Sequence, residues 1–295
     1  MKRTPMKPAP RRRLAFALAG LLAASAAIAG AREDVRAEDA VRVVREIQSI
    51  PESGIPDRLL DEARGIVVVP NTIKAGFFLG GRRGLGLMSV KTANGTWSNP
   101  VFVKLAGASF GFQAGVQSAD VIMVFRSDRG LESIVNGKFT LGADASVAAG
   151  PVGRSAAAAT DGEFKAEIWS WSRARGLFAG VALDGAVLSI DNGANSSAYG
   201  EGVTPRMVFE GRATQPASSA IVGFRDALEE ATAGARQTRA RKQANAAAAS
   251  APASMSAPTN PGTTVQPVDN HNPATTTPLS DAPVKPTPAA ASTSP

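Results

Sequence analysis

Few side chains in this sequence have types and positions that suit catalysis. The 295 residues include no cysteine, and the single histidine, His271, lies in a C-terminal segment rich in Ala, Pro, Ser and Thr. A Ser-His-Asp or Cys-His nucleophile, a disulfide, a zinc–thiolate centre and a lipid anchor on cysteine are therefore excluded from the folded part. Only carboxylates, lysine, tyrosine and serine remain as groups that could act.

Two isolated carboxylates are the remaining candidates for catalysis. Asp144 and Asp184 each stand alone within small or apolar predicted strands. A buried carboxylate needs a partner, which Arg173 or Arg175 could supply. Paired acids could instead form a hydrolytic or a cation site. Their spacing does not show that they meet, so structural ion pairing is favoured. The sequence predicts no enzyme, no cofactor and no metal site.

Basic residues are segregated along the chain. No acid occurs between Glu62 and Asp120, where six cations lie. Arg82 and Arg83 are predicted in a glycine-flanked turn beside Phe77–Leu79, and basic tips next to apolar side chains suit a layer of anionic lipid headgroups. Alternatively, later acids fold back and neutralise these cations; the candidates are Asp120, Asp128 and Glu132. The lipid-binding hypothesis takes five of the six cations, namely Lys74, Arg82, Arg83, Lys91 and Lys104.

Two tryptophans extend this hypothesis. Trp169 and Trp171 alternate with Ile168 and Ser170 on a predicted strand and could sit at a membrane interface, where indoles concentrate. The favoured alternative is that the C-terminal helix covers the pair.

The elements that must position these residues follow from hydrophobic periodicity. A helical stripe spans Glu33–Ile50, a short helix follows from Pro56 to Arg64, and a last helix covers about Ser219–Ala233. Between these helices the apolar residues recur at every second position, which predicts short strands separated by Gly, Pro or Asn. Asn94-Gly95 is the strongest hairpin signal. The predicted strands are Ile66–Val69, Phe77–Leu79, Leu85–Lys91, Val101–Leu105, Ala108–Gln113, Val121–Phe125, Lys138–Ala149, Glu163–Trp171 and Leu177–Ile190. The predicted fold class is α+β: a twisted, largely antiparallel, barrel-like sheet flanked by N- and C-terminal helices.

Both ends of the chain differ in composition from the middle. Residues 1–31 carry six basic residues, then an apolar run with an Ala-x-Ala site, which predicts a signal peptide; an uncleaved N-terminal anchor is the alternative. Residues 236–295 are predicted to be a disordered tail, because the segment from Gln243 onward lacks aromatic residues and contains half of the chain's prolines. Residues 32–235 remain as one folded domain. Removal of the signal leaves 26 basic against 25 acidic residues, so the basic pI does not indicate a nucleic-acid partner.

Several segments together resemble the SYLF, or Ysc84 actin-binding, domain over about residues 40–232. They include SFGFQAG at Ser109–Gly115 and SRARGLFAGV at Ser172–Val181. The remaining segments are Ile55–Ile66, Pro70–Phe77, Gly80–Gly84, Trp97–Pro100, Phe139–Pro151 and Leu183–Gly185.

The resemblance implies a non-enzymatic module that binds anionic lipid such as phosphoinositides, and in fungal relatives actin. An export signal would place this chain in the periplasm or elsewhere outside the cytoplasm, peripheral to the envelope, away from any cytoskeleton. The lipid segment attributed to a eukaryotic relative lies in its N-terminal helix, which here carries both charge signs. The alternative is a structural or protein-interaction domain of the envelope that has a protein partner and no lipid affinity.

Overall fold

The computed structural model describes residues 10–49, 54–152, 166–174 and 177–250. Within its helices and strands, the side chains of residues 10–29, 76–79, 109–115 and 249–250 are outside that description. The elements in chain order are α1 (Pro10–Ser49), α2 (Asp57–Glu62), β1 (Gly65–Val90), β2 (Val101–Phe125), α3 (Asp128–Val135), β3 (Lys138–Thr140), β4 (Val147–Ala149), β5 (Ile168–Ala174), β6 (Leu177–Gly180), β7 (Val187–Ile190), α4 (Asn192–Tyr199), α5 (Pro205–Phe209) and α6 (Ser219–Ser250).

One curled, mostly antiparallel sheet forms the centre of the fold. Its strand order is β3-β7-β2-β5-β4, with β1 paired to β2 and β6 paired to β5. The β4–β5 pair is parallel and the other pairs are antiparallel. With helices at the N- and C-terminal sides, this confirms the predicted α+β class.

The predicted short strands of the first half are joined into two long ones. β1 has 26 residues and β2 has 25, and they pair from Gly65↔Phe125 to Met88↔Val101. Glycines that suggested strand breaks lie inside these strands, because a strand accepts glycine where another backbone passes close by. The prediction of a turn at Arg82 and Arg83 was therefore wrong, because both residues lie within a strand and pair with Gly107 and Ala106.

The hairpin between β1 and β2 turns where the sequence predicts it. Gly95 has φ 80°, and its N–H donates to the Thr92 carbonyl at 2.9 Å. The later predicted strands are shorter than expected because turns at Gly142 (φ 84°) and Gly185 (φ 75°) interrupt them. The sequence prediction also missed α4 and α5.

The two long helices, α1 and α6, pack against each other, and α1 also packs on β1. The apolar stripe of α6 is buried as predicted, and α6 contacts α1 and α2. This helix runs to Ser250, past the predicted end near Ala233. The extension is held by Arg236 and Arg239, which both pair with Asp61 of α2. Within the described part of the chain, no helix is both long and apolar enough to span a bilayer.

Candidate functional site

The candidate surface is built on a crossing of β1 over itself. A Cβ placed on Gly86 would stand 2.2 Å from the Val68 carbonyl oxygen, and one on Gly84 would stand 2.4 Å from Cγ1 of Val69. The start and end of β1 therefore touch, and the middle of the β1–β2 ribbon must leave this crossing and return to it. We call residues 73–83 of β1 and 106–118 of β2 the ribbon bend.

The residues near both ends of the ribbon bend, whose side chains the structure describes, include exposed ones, whereas strand residues beyond the bend are buried. Ile73, Arg83 and Val116 are exposed, while Val69 and Leu105 are fully buried. At about 3.3 Å per residue, eleven residues that return to their starting point can reach at most about 20 Å outward. The bend is therefore long enough to project a set of side chains away from the core.

Three of the predicted cations lie on the ribbon bend. Arg83 is exposed, and Lys74 and Arg82 are half-buried. Burial lowers the pKa of Arg82. Among residues 10–49, 54–152, 166–174 and 177–250, no ion pair joins any of these three to an acid. The ribbon bend contains no acidic residue of its own, so it carries uncompensated positive charge.

Lys104 lies at the margin of the bend and has an acidic partner. Its Nζ is 3.0 Å from Oδ1 of Asp191, and Nη1 of Arg36 is 3.2 Å from Oδ2 of the same carboxylate. Burial by itself would raise the pKa of Asp191, but the hydrogen bonds from Lys104 and the Ala194 N–H, with the attraction of both cations, outweigh it and lower the pKa. Two cations therefore contact the Asp191 carboxylate, and the buried Glu33 also interacts electrostatically with Arg36. The Lys104 side chain is 46% exposed.

The sheet adds a cation that the sequence analysis missed. Lys104 pairs with Ser189 of β7, and Ser189 pairs with Lys138 of β3. Residues directly opposite each other share a face of the sheet, so the two lysines start about 10 Å apart on one face. In the next row on that face, Arg83 pairs with Ala106. Lys138 is exposed and lies outside the acid-free segment, so only strand register could place it here.

Lys91 belongs to a different part of the molecule. Its Nζ donates to the Asp61 carbonyl at 3.0 Å and stands 5.3 Å from the centre of the Trp97 ring. Burial, followed by repulsion from Arg236, lowers the pKa of Lys91. The residue therefore ties the end of β1 to α2, and the structure does not bring it onto the ribbon bend.

The two predicted tryptophans do not form an exposed pair. Trp171 is fully buried, with its Nε1 donating to the Pro151 carbonyl at 3.3 Å, and a Cβ on Gly150 would collide with its indole at 2.0 Å. Its assignment to a membrane interface was wrong, because its ring fills the core between β5 and the Gly150–Pro151 segment. Trp169 is half-buried against the same core.

Asp120, expected to neutralise these cations, has other partners. Its Oδ2 lies 2.9 Å from Nη2 of Arg173 and 3.6 Å from Nη1 of Arg42, and Arg173 also pairs with Glu46. This cluster fastens α1 to β2 and β5. Among the cations that Asp120 was expected to neutralise, Lys104 does have an acidic partner, but that partner is Asp191.

Asp144 and Asp184 are exposed turn residues, contrary to the buried ion pairs predicted for them. The Thr140 N–H donates to Oδ2 of Asp144 at 2.6 Å, and Asp184 stands beside Gly142. Arg173, one of the partners expected for them, forms an ion pair with Asp120 instead. Among the residues that the structure describes, no three potential metal-binding side chains cluster.

Comparison with known proteins identifies relatives of part of this chain. The profile of the family described as "Ysc84: Las17-binding protein actin regulator" matches residues 106–231. Protein YSC84 of Saccharomyces cerevisiae is 37% identical over 166 residues, which are 55% of this chain and 35% of the relative. The human SH3 domain-containing YSC84-like protein 1 is 30% identical over 189 residues, 62% of this chain and 55% of the relative.

LAS seventeen-binding protein 3 of S. cerevisiae is 35% identical over 165 residues. Matched segments thus span about a third to about half of the length of these relatives. The profile match and the relatives show that part of this chain is similar to the Ysc84 family, in line with the resemblance. The family description names binding and regulation of other proteins rather than catalysis.

Proposed function

We propose that this Ysc84-type domain is a non-enzymatic module that binds anionic membrane lipid through the ribbon bend and the sheet face beside it. The observation that carries the proposal is uncompensated positive charge: exposed Arg83 has no ion pair within the described residues and lies in a 57-residue stretch, between Glu62 and Asp120, without an acid. Lys104 and Lys138 extend this charge across the sheet.

The expected affinity is moderate and reversible. A cation near an anionic bilayer contributes about 1 kcal/mol. Arg83 and Lys138 contribute in full, Lys74 and Arg82 less because they are half-buried, and Lys104 less because Asp191 already attracts it. A sum of about 3 kcal/mol raises the membrane partition coefficient about 160-fold over that of a neutral surface. Such binding is peripheral and sensitive to salt.

The location is part of the proposal. The basic start of the chain and its Ala-x-Ala site support export, so the lipid would be an anionic phospholipid of the envelope. Residues 251–295, which follow the end of α6 at Ser250, would act as a solvated spacer. Phosphoinositide-like headgroups are one chemical form of the anionic ligand, and actin is not a partner in such a compartment.

Vesicle co-sedimentation tests the proposal. The chain without residues 1–31 is expected to sediment with vesicles of phosphatidylglycerol and phosphatidylcholine in equal parts and to stay in the supernatant with phosphatidylcholine alone. Arg83→Glu and Lys138→Glu should each weaken sedimentation, with a larger effect at low salt. Arg241→Glu is the matched control, since Arg241 is an exposed cation near the end of α6. Equal binding to neutral and anionic vesicles would rule out the electrostatic mechanism.

The names of the relatives favour a second candidate, a protein-binding role. The family description refers to Las17 binding and actin regulation. On this alternative the domain docks a protein partner of the envelope, or actin where the chain stays in a cytoplasm, and has no affinity for vesicles. Sedimentation with filamentous actin, together with absence from both vesicle pellets, would favour it over lipid binding.

A further inference from the structure

Exposed apolar side chains on the ribbon bend are a second, independent feature of this surface. Four large apolar residues are exposed in the described part of the chain, and two of them, Ile73 at 52% and Val116 at 75%, lie on the bend. Ala75 pairs with Val116, and Ile73 pairs with Ser118 one step along the same face. This face therefore presents uncharged, mostly apolar atoms to solvent.

Within the part of the chain that the structure describes, Ile73 and Val116 stay exposed to solvent. Each lies on the part of the ribbon that leaves the crossing at Gly84 and Gly86, and the cations Lys74 and Arg83 stand near them along β1. An apolar strip with cations beside it complements an anionic bilayer, in which acyl chains lie beneath a layer of negative headgroups.

We infer that the ribbon bend inserts into the bilayer, with Ile73 and Val116 entering the boundary between headgroups and acyl chains while the neighbouring cations hold the phosphates. The inference rests on the proposed lipid binding and deepens it from adsorption at a charged surface to shallow insertion. Insertion of about 5–10 Å is typical of interfacial segments.

A single fluorescent label tests insertion, because the chain contains no cysteine of its own. Ile73→Cys, labelled with an environment-sensitive dye, should shift its emission to the blue on vesicles of phosphatidylglycerol and phosphatidylcholine in equal parts. Lipids brominated on the acyl chain should quench it. Leu177→Cys is the matched control: Leu177 is also an exposed apolar strand residue, at 73%, but lies on β6, and its label should not respond.

A second variant measures the apolar contribution to binding. Ile73→Ser removes most of the apolar side chain at an already exposed site, so the fold should persist. Loss of one inserted aliphatic side chain should weaken partitioning about tenfold. The weakening should persist at high salt, whereas the loss caused by Arg83→Glu should shrink there.

The outcomes separate this inference from the proposed function. If the protein sediments with anionic vesicles but the Ile73→Cys label does not respond, the domain only adsorbs by charge, and insertion is overturned. If it does not sediment at all, both fail. A blue shift without vesicles that grows with protein concentration would identify a second copy as the occupant of this face and would also overturn insertion.

Discussion

Substitution of Gly86 by alanine tests the crossing of β1 that creates the ribbon bend. The added Cβ would lie 2.2 Å from the Val68 carbonyl oxygen and 2.9 Å from Cα of Val69. A carbon and a carbonyl oxygen approach no closer than about 3.3 Å, so the overlap is about 1 Å. Both contacts are backbone atoms of a paired strand, which cannot move aside as a side chain does.

The expected cost follows from this overlap. Overpacking in a core costs about 1–3 kcal/mol, and a clash with fixed backbone belongs at the upper end, so we expect Gly86→Ala to lose about 3 kcal/mol of unfolding free energy. For a domain of this size that corresponds to a fall in Tm of about 6–12 °C. Urea unfolding followed by the fluorescence of the buried Trp97 and Trp171 measures the loss.

Gly81→Ala is the control on the same strand. Gly81 is exposed, and a Cβ there meets no atom within 4 Å. Because glycine in a strand costs about 0.5–1 kcal/mol relative to alanine, this variant should match or slightly exceed the wild type in stability. If Gly86→Ala is as stable as Gly81→Ala, the two ends of β1 do not cross as described, and the ribbon bend loses its structural basis.

Two further predictions concern groups buried beside the sheet. Asp191→Asn should lose about 2 kcal/mol at neutral pH by unpairing Lys104 and Arg36. Because the pKa of Asp191 is lowered, the wild type should lose this advantage as pH falls below about 4, which urea unfolding of both proteins over an acid pH series would show; a constant difference would contradict it. Tyr199→Phe should cost about 1 kcal/mol in the same unfolding assay by removing the hydroxyl that donates to the Pro100 carbonyl at 2.5 Å. Burial raises the pKa of Tyr199, the chain's one tyrosine, so its phenolate absorbance should appear only as the protein unfolds in alkali; ionisation of the folded protein near pH 10 would be inconsistent with the burial.

The sequence was sufficient for the fold class and for several local features. The stripe of α6 and the Asn94-Gly95 hairpin depend on local periodicity and turn chemistry, and both are confirmed. The long strands were not predictable in the same way. Gly84 and Gly86 resemble loop residues locally, and only the later approach of Val68 explains their place within a strand.

The site shows the same division between local and long-range information. The acid-free segment was visible in the sequence, and Lys74, Arg82 and Arg83 lie on the ribbon bend. Lys91 could not be separated from them by sequence, because its contact with Asp61 depends on how α2 docks. Lys138 could not be added, because its position depends on strand register across β7.

Hydrogen–deuterium exchange in the presence of vesicles tests the central claim most directly, because it needs no substitution. With vesicles of phosphatidylglycerol and phosphatidylcholine in equal parts, residues 73–83 and 106–118 should gain protection, and phosphatidylcholine alone should leave them unchanged. Protection confined to α1 or α6, with the ribbon bend exchanging as in free protein, would contradict the account.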